Sequence, residues 1–226
     1  MHKARGFWAK YSKMIIIAGS VVILVIGSYL GYKYFYKLPR ETKASELIFP
    51  AEKLFGKMSG SSSYSKDSMN LVLNGGDLEG NKITGLLKII SQYDGTPSAN
   101  RARIMVGACY LQLKEFDKAI KQLKAFDGNG ADQVQSKAYI MIGHAYSELK
   151  KTDDALEYYK KAASADKDDE GSATEALFTA ARYAEATGKT KDAIELFQQI
   201  KNDYPASPKA TGGEVDKYLA KLGVIK

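Results

Sequence analysis

The chain has 226 residues and a formal net charge of +7, and its length fits one or two domains. Residues 1–43 contain eight Lys and Arg side chains and one acid, Glu41, so the other 25 of the 33 basic and 25 of the 26 acidic residues leave 44–226 neutral. Because the excess positive charge is confined to the N-terminal segment, no basic stripe remains to follow a phosphate backbone, and we exclude nucleic acid as a partner.

An apolar segment of 19 uncharged residues, 14–32, follows a basic tail at 1–13. At 1.5 Å per residue it spans roughly 28 Å, close to the ~30 Å hydrocarbon core of a bilayer. Aromatic residues flank both of its ends, as they do in spanning helices. We therefore predict a transmembrane helix over 14–36. The alternative is a cleaved signal peptide, whose apolar region is shorter and ends in a small-residue cleavage site.

Charge leaves the orientation of this helix open. Four Lys or Arg residues precede the apolar segment and four follow it, so the positive-inside count is a tie. Gly27 and Gly31 lie four residues apart, a spacing that offers a small-residue face for packing against another membrane helix. Glycine is also common in spanning helices generally, and both interpretations stay open.

The segment from 37 to 97 combines linker and weak helical patterns. We expect 37–63 to be a linker, helical in part around 45–56, where Pro50 would kink or start a helix, with a flexible break at Gly60–Ser63. In 64–97 we predict a degenerate helical hairpin, made of short helices at 65–73 and 83–93 and a turn-rich loop at 74–81. Since no stretch sustains an alternation of period two, we predict an all-α fold.

Two stretches of the remaining chain repeat one pattern at a spacing of 36 residues, and a weaker third copy follows. The matching positions are Gly107, Tyr110 and Ala119 in the first copy, Gly143, Tyr146 and Ala155 in the second, and Ala181, Ala184 and Ala193 in the third. A repeat of this length indicates stacked helical hairpins. We predict helix pairs at 98–114 with 116–126, at 135–150 with 153–165 and at 172–187 with 191–203, followed by a capping helix within 207–226.

The two repeat glycines have a packing explanation. Glycine in the middle of a helix costs about 1 kcal/mol relative to alanine, which is tolerable where a second helix approaches too closely for a side chain. The small alanines of the second helices are where that approach is expected. The predicted large partners, four residues after those alanines, are Leu123, Tyr159 and Phe197.

The pattern resembles the tetratricopeptide repeat, in which a first helix with a small residue and a tyrosine is followed by a short turn, a second helix with alanine and a large apolar residue, and then a proline, here Pro205. The match covers 98–206 in three copies. The resemblance implies an α-solenoid that binds proteins, with the first helix of each pair lining a concave groove. By resemblance, the fifth positions of the repeats face this groove (Ile104, Ile140 and Phe178), as do the ninth (Ala108, His144 and Arg182) and the twelfth (Leu111, Ser147 and Glu185).

The fifth-position row is apolar in all three repeats. Such a row suits an extended apolar segment or a partner helix. Equally, it can pack against the N-terminal hairpin folded into the groove, because apolar helix positions are more often core than interface. Repeats that clamp a C-terminal carboxylate carry Lys and Asn where this chain has Ile104 and Ala108, or Ile140 and His144, so we expect no such clamp.

No group of side chains indicates catalysis. One cysteine and two histidines exclude an intrachain disulfide and argue against a metal cage or a Cys–His nucleophile. We expect His144 to be a polar packing residue and Cys109 a buried small apolar one. The acidic segment 166–171 imitates half of a calcium loop, but Leu177 stands where the bidentate glutamate belongs. We predict no enzyme activity, cofactor, metal or small-molecule substrate.

The whole layout resembles the membrane-anchored YfgM-like family. The resemblance rests on the basic tail, the single anchor, the stretch SMNLVLNG at 68–75 and three repeats ending in DYPASPKA at 203–210. Members of that family are ancillary subunits of the bacterial Sec translocon. The resemblance implies a single-pass anchor in the inner membrane, repeats in the periplasm, and the translocon and a periplasmic chaperone as partners. Envelope-assembly, cell-wall or division scaffolds and cytosol-facing import receptors share this architecture and stay open as alternatives.

Overall fold

The N-terminal part of the chain is one continuous helix in the computed structural model, which describes residues 2–59 and 65–225. Helix α1 spans His2–Gly31, a π-helical segment spans Tyr32–Lys37, and helix α2 spans Leu38–Ser59. Among the described residues this is the one helix long and apolar enough to cross a membrane. The residues from Ile16 to Leu30 are all exposed. The helix continues well past residue 36, where the predicted span ended.

Helix α2 occupies the place of the linker predicted at 37–63. Four of its side chains are buried at intervals of three, four and seven residues, which puts them on one face of a helix. They are Ala44, Ile48, Ala51 and Met58. Pro50 lies inside the helix rather than at its start. The predicted break at Gly60–Ser63 lies outside the described residues.

The predicted helical hairpin at 64–97 has helices at both ends and a short β-hairpin between them. Helices α3 and α4 span Lys66–Asn74 and Leu86–Gln92. Strands β1 (Gly75–Leu78) and β2 (Asn81–Thr84) pair antiparallel across a two-residue turn. Glu79 and Gly80 in that turn have φ of 53° and 78°, as a tight hairpin turn of this type requires. The loop predicted at 74–81 and the helix start at residue 83 were therefore wrong, because four-residue strands are too short for an alternating pattern to show.

Three helix pairs then stack into an α-solenoid. The pairs are α5 (Pro97–Gln112) with α6 (Phe116–Lys124), α7 (Asp132–Glu148) with α8 (Thr152–Ala165), and α9 (Glu170–Ala186) with α10 (Thr190–Asp203). Thr96 caps α5 by accepting a hydrogen bond from the backbone N–H of Ala99 at 3.2 Å, and Pro97 starts the helix, where its missing N–H costs nothing.

The close approach predicted at the repeat glycines is present. A Cβ added to Gly107 would lie 2.5 Å from the Leu123 side chain, and one added to Gly143 would lie 2.5 Å from the Tyr159 ring. The three alanines of the second helices, Ala119, Ala155 and Ala193, are fully buried. In the first two pairs, the backbone of the first helix therefore contacts a side chain of the second helix at a distance that only glycine permits.

The core has two adjoining parts. The first joins α2, the β-hairpin and the helices from α3 to α7, and the second joins the helices from α8 onward. Tyr139 and Tyr146 contact both parts. The second part ends in the short helix α11 (Pro208–Thr211) and helix α12 (Glu214–Lys221), which bury Val215 and Leu219 against the last pair.

Candidate partner-binding groove

A depression of about 430 Å³ opens between helix α2 and the first helices of the first two repeats. Its wall is almost entirely apolar. The residues that line it are Phe55 from α2, Ile104, Met105 and Ala108 from α5, and Lys137, Ile140, Met141 and His144 from α7. We call this depression the groove pocket.

The groove pocket brings together the predicted residues of the first two repeats. Ile104 and Ile140 are half-buried at its wall, so each still offers part of its side chain to a partner. Ala108 and His144 contribute to the same wall. Leu111 is also half-buried, but it does not line the pocket.

The third repeat differs from the predicted groove. Phe178 is 3% exposed and belongs to the core. Its ring meets Tyr218 of α12 edge-on, with 5.6 Å between ring centroids, and the Lys209 ammonium lies 4.2 Å from its centroid. Phe178 therefore cannot form an open row with Ile104 and Ile140, because the C-terminal helices cover it.

The polar groove positions also separate by repeat. Arg182 is exposed and lines, with His144, a second depression of about 380 Å³. Ser147 is half-buried outside both depressions. Glu185 is paired with Lys221 of α12, so its charge is already neutralised. Among the described residues, no carboxylate forms an ion pair with Lys137 or Arg182, but Glu175 and Glu214 line the second depression beside Arg182, and both pair with Lys209.

His144 is bound to its own repeat. Its Nδ1 lies 2.8 Å from the Tyr159 hydroxyl, and the two rings meet edge-on at 5.5 Å. The surrounding protein displaces water from the imidazole and lowers the pKa of His144, against a weaker opposing effect of Glu148. Burial also raises the pKa of Tyr159. A neutral imidazole paired with a neutral phenol suits packing and weak polar contacts at the groove wall.

Four residues of the groove pocket escaped the sequence analysis, namely Phe55, Met105, Lys137 and Met141. The sequence does contain a pattern that indicates Phe55. Together with Ile48, Ala51 and Met58 it forms an apolar stripe at helical spacing, which predicts a buried helix face. The repeat frame could not supply it, because α2 lies outside the repeats.

The acidic segment 166–171 serves the start of a helix. Asp169 caps α9 by accepting a hydrogen bond from the backbone N–H of Ser172 at 2.7 Å. Within the described part of the chain, no group of three or more His, Cys, Asp or Glu side chains could hold a metal ion. The negative charge of the segment 166–171 lies at the start of α9, where the helix dipole favours it.

Gly27 and Gly31 of α1 face no other part of the chain among the described residues. A Cβ added at Gly27 or Gly31 would find no heavy atom within 4 Å. A packing role for these residues thus requires a helix from another molecule.

Comparison with known protein families identifies the type of repeat. Two family models described as Tetratricopeptide repeat match residues 136–169 and 175–207. These ranges overlap the pairs α7–α8 and α9–α10 over most of their length, so the chain carries tetratricopeptide repeats. Repeats of this family are generally protein-interaction modules without enzyme activity.

Solved structures of other proteins are similar over most of this chain. A crystal structure of MamA protein is 16% identical, with 79% of this chain and 91% of that chain covered and a TM-score of 0.46. The putative kinesin light chain repeats of Podosopora anserina are 12% identical, with 81% and 94% covered and a TM-score of 0.48. No curated protein matches the sequence significantly.

Proposed function

We propose that this protein is a membrane-anchored scaffold without enzyme activity, which binds an apolar segment of a partner protein in the groove pocket. The observation that carries this proposal is the apolar depression between Phe55, Ile104 and Ile140. Its volume of about 430 Å³ lies within the range of pockets that bind ligands. Apolar anchors in such a groove are how helical and extended segments are recognised.

The charge around the pocket restricts the partner further. Lys137 at its rim and Arg182 in the next depression have no carboxylate partner among the described residues. An acidic group next to the bound apolar residues would meet Lys137, which lines the pocket itself. The preferred segment is therefore apolar with acidic flanks, and complementary charge would add selectivity more than affinity.

The location and the partner follow from resemblance. The anchor is supported by the long apolar helix and its exposed face. The YfgM-like layout favours the bacterial inner membrane, with the repeats in the periplasm and the Sec translocon and a periplasmic chaperone as partners. In this proposal the scaffold holds partners next to proteins that are leaving the translocon and folding. A reporter fused after Lys226 tests the orientation, and a cytosolic signal would favour a receptor facing the cytosol.

The groove is tested by Ile104→Asp combined with Ile140→Asp. Both side chains are half-buried, so charge can be placed there with a smaller penalty than at the buried Phe178. Val134→Asp is the matched control, since Val134 is 36% exposed on the same helix α7 and lies outside the pocket. Helix content by circular dichroism verifies that each variant folds.

The readout is crosslinking of the full chain in membranes, followed by recovery and identification of bound proteins. We expect the double variant to lose the partners that the wild type and the control retain. Unchanged recovery from a folded double variant would exclude the groove pocket as the binding site. Recovery of partners without any translocon component would instead favour an envelope-assembly scaffold.

A further inference from the structure

A second cleft lies where the long N-terminal helix meets the solenoid. Its volume is about 270 Å³, and it is lined by Tyr32, Lys33, Lys37 and Leu38 of that helix and by Pro97 at the start of α5. We propose that this junction cleft binds the headgroup phosphate of an anionic phospholipid. The proposal rests on the membrane anchoring proposed above and is independent of the groove pocket.

The walls of the junction cleft are fixed to each other by hydrogen bonds. The Glu41 carboxylate accepts one from the Ser98 hydroxyl at 2.7 Å and one from the Ser98 backbone N–H at 3.1 Å. Arg40 donates from Nη2 to the carbonyl oxygen of Gln92 at 2.9 Å. The cleft is thus pre-formed between the membrane helix and the first repeat, and a ligand would not need to order it.

Two cations line the cleft, and they outnumber its one carboxylate. Lys33 and Lys37 are one helical turn apart, and both line the cleft. Among the described residues, neither forms an ion pair with a carboxylate. Glu41 also lines the cleft and keeps its negative charge, but its two oxygens accept hydrogen bonds from Ser98, so the lining carries a net charge of +1. A phosphate between the two ammonium groups would supply the missing anion.

The depth of the two lysines in a bilayer fits a lipid phosphate. A hydrocarbon core of ~30 Å accommodates about 20 helical residues. Counted from Met14, that length ends near Lys33, the first charged residue after the apolar segment. Lys37 follows at most about 6 Å further along the axis, because the segment between them is π-helical, and it lies within a headgroup layer of roughly 5–7 Å. Both ammonium groups therefore fall where phospholipid phosphates lie.

The rest of the cleft favours a lipid over a soluble phosphate. Its exposed lining is mostly aromatic and aliphatic, with Leu38 53% exposed and Tyr32 57% exposed. A soluble phosphate has no use for such a surface. The glycerol and upper acyl carbons of a phospholipid would cover it, which removes apolar area from water.

The test uses the full chain in detergent and native mass spectrometry of bound lipid. Phosphatidylglycerol and phosphatidylcholine with identical acyl chains are titrated against the wild type, the variant Lys33→Gln/Lys37→Gln, and a relocated variant. The relocated variant adds Tyr34→Lys and Phe35→Lys to the two substitutions, which restores the net charge. Tyr34 and Phe35 are 56% and 87% exposed and do not line the cleft.

We expect the wild type to retain one phosphatidylglycerol in preference to phosphatidylcholine. Loss of a lysine near an anionic headgroup should weaken binding roughly fivefold, so the double variant should bind roughly thirtyfold more weakly. The relocated variant should remain as weak as the double variant. Equal binding of the two lipids, recovery of binding in the relocated variant, or displacement of the lipid by millimolar inorganic phosphate would each overturn the site.

Membrane insertion is measured separately by flotation of the same proteins with phosphatidylcholine vesicles after carbonate extraction. A wild type that fails to float contradicts the anchoring itself. A wild type that floats but shows no lipid preference contradicts only the junction cleft. The two failures are therefore distinguishable.

Discussion

Replacement of Gly143 by alanine probes the contact between α7 and α8 that the repeat pattern predicts. The new Cβ would lie 2.5 Å from Cε1 and 2.6 Å from Cδ1 of Tyr159, whereas ordinary contacts of a Cβ begin at 3.4 Å. The ring would have to move by about 1 Å. It is not free to do so, because Tyr159 is 2% exposed, its hydroxyl is 2.8 Å from His144 Nδ1, and its ring packs edge-on against Tyr183 at 5.1 Å.

The expected magnitude comes from three opposing effects. Alanine is favoured over glycine in a helix by about 1 kcal/mol. Overpacking of a filled core costs about 1–3 kcal/mol, and loss of the hydrogen bond between Tyr159 and His144 costs about 1 kcal/mol more. The unfavourable effects are larger, and we expect Gly143→Ala to lower the free energy of unfolding by about 1–3 kcal/mol.

The assay is urea unfolding of the full chain in mild detergent, followed by circular dichroism. Gly56→Ala in α2 is the control, because a Cβ at residue 56 would find no heavy atom within 4 Å. That control should be neutral or stabilised by up to about 1 kcal/mol. If Gly143→Ala were as stable as the wild type while Gly56→Ala behaved as expected, the close approach of α7 and α8 would be refuted.

Three further predictions concern single side chains. The pKa of His144 is lowered in the folded state, so its contribution to stability should be complete above about pH 6.5 and be lost as the pH falls through the lowered pKa. The drop in the urea midpoint between pH 7.5 and pH 5 should therefore be smaller in His144→Gln than in the wild type. An equal drop in the two proteins would contradict this prediction. Glu41→Ala should lower the free energy of unfolding by about 1–3 kcal/mol through the lost hydrogen bonds to Ser98, and it should broaden the distribution of spin-label distances between α2 and α5. The control Glu46→Ala should change neither quantity. Equal distance distributions in Glu41→Ala and the wild type would show that the junction does not depend on Glu41. Burial raises the pKa of Cys109 to about 12, so a thiol reagent at pH 8 should label it rapidly only after urea is added, and fast labelling of the folded chain would contradict its burial.

The repeat part of the fold could be predicted from the sequence because its signals are local. The glycine and the large residue that fills its place, Gly107 with Leu123 and Gly143 with Tyr159, are separated by a short, constant stretch of chain. The residue types needed for this packing therefore recur at a fixed period. The helices of the repeats follow from that period, and the groove positions of Ile104 and Ile140 follow from the resemblance to the tetratricopeptide repeat.

The features that were missed depend on contacts between distant parts of the chain. Phe178 has the same place in its repeat as Ile140, but Lys209 and Tyr218 cover it, and no local pattern records that cover. Likewise, the Phe55 side chain reaches the groove pocket only because α2 packs against α5. For this reason the sequence predicted which residues of the first helices face the groove, but not which of them remain accessible to a partner.

In the proposed anchoring, the unbroken helix from Ile16 to Ser59 sets the distance of the groove pocket from the membrane. From Lys37 to Phe55 the axis rises about 27 Å at 1.5 Å per residue. In this arrangement a continuous helix, rather than a flexible linker, would hold the pocket at this distance from the headgroup layer. An extended chain covers about 3.3 Å per residue, so a partner segment would have to emerge by roughly eight residues before it could reach Phe55. Polypeptides still embedded in the bilayer, or extending only a few residues beyond it, would pass beneath this site.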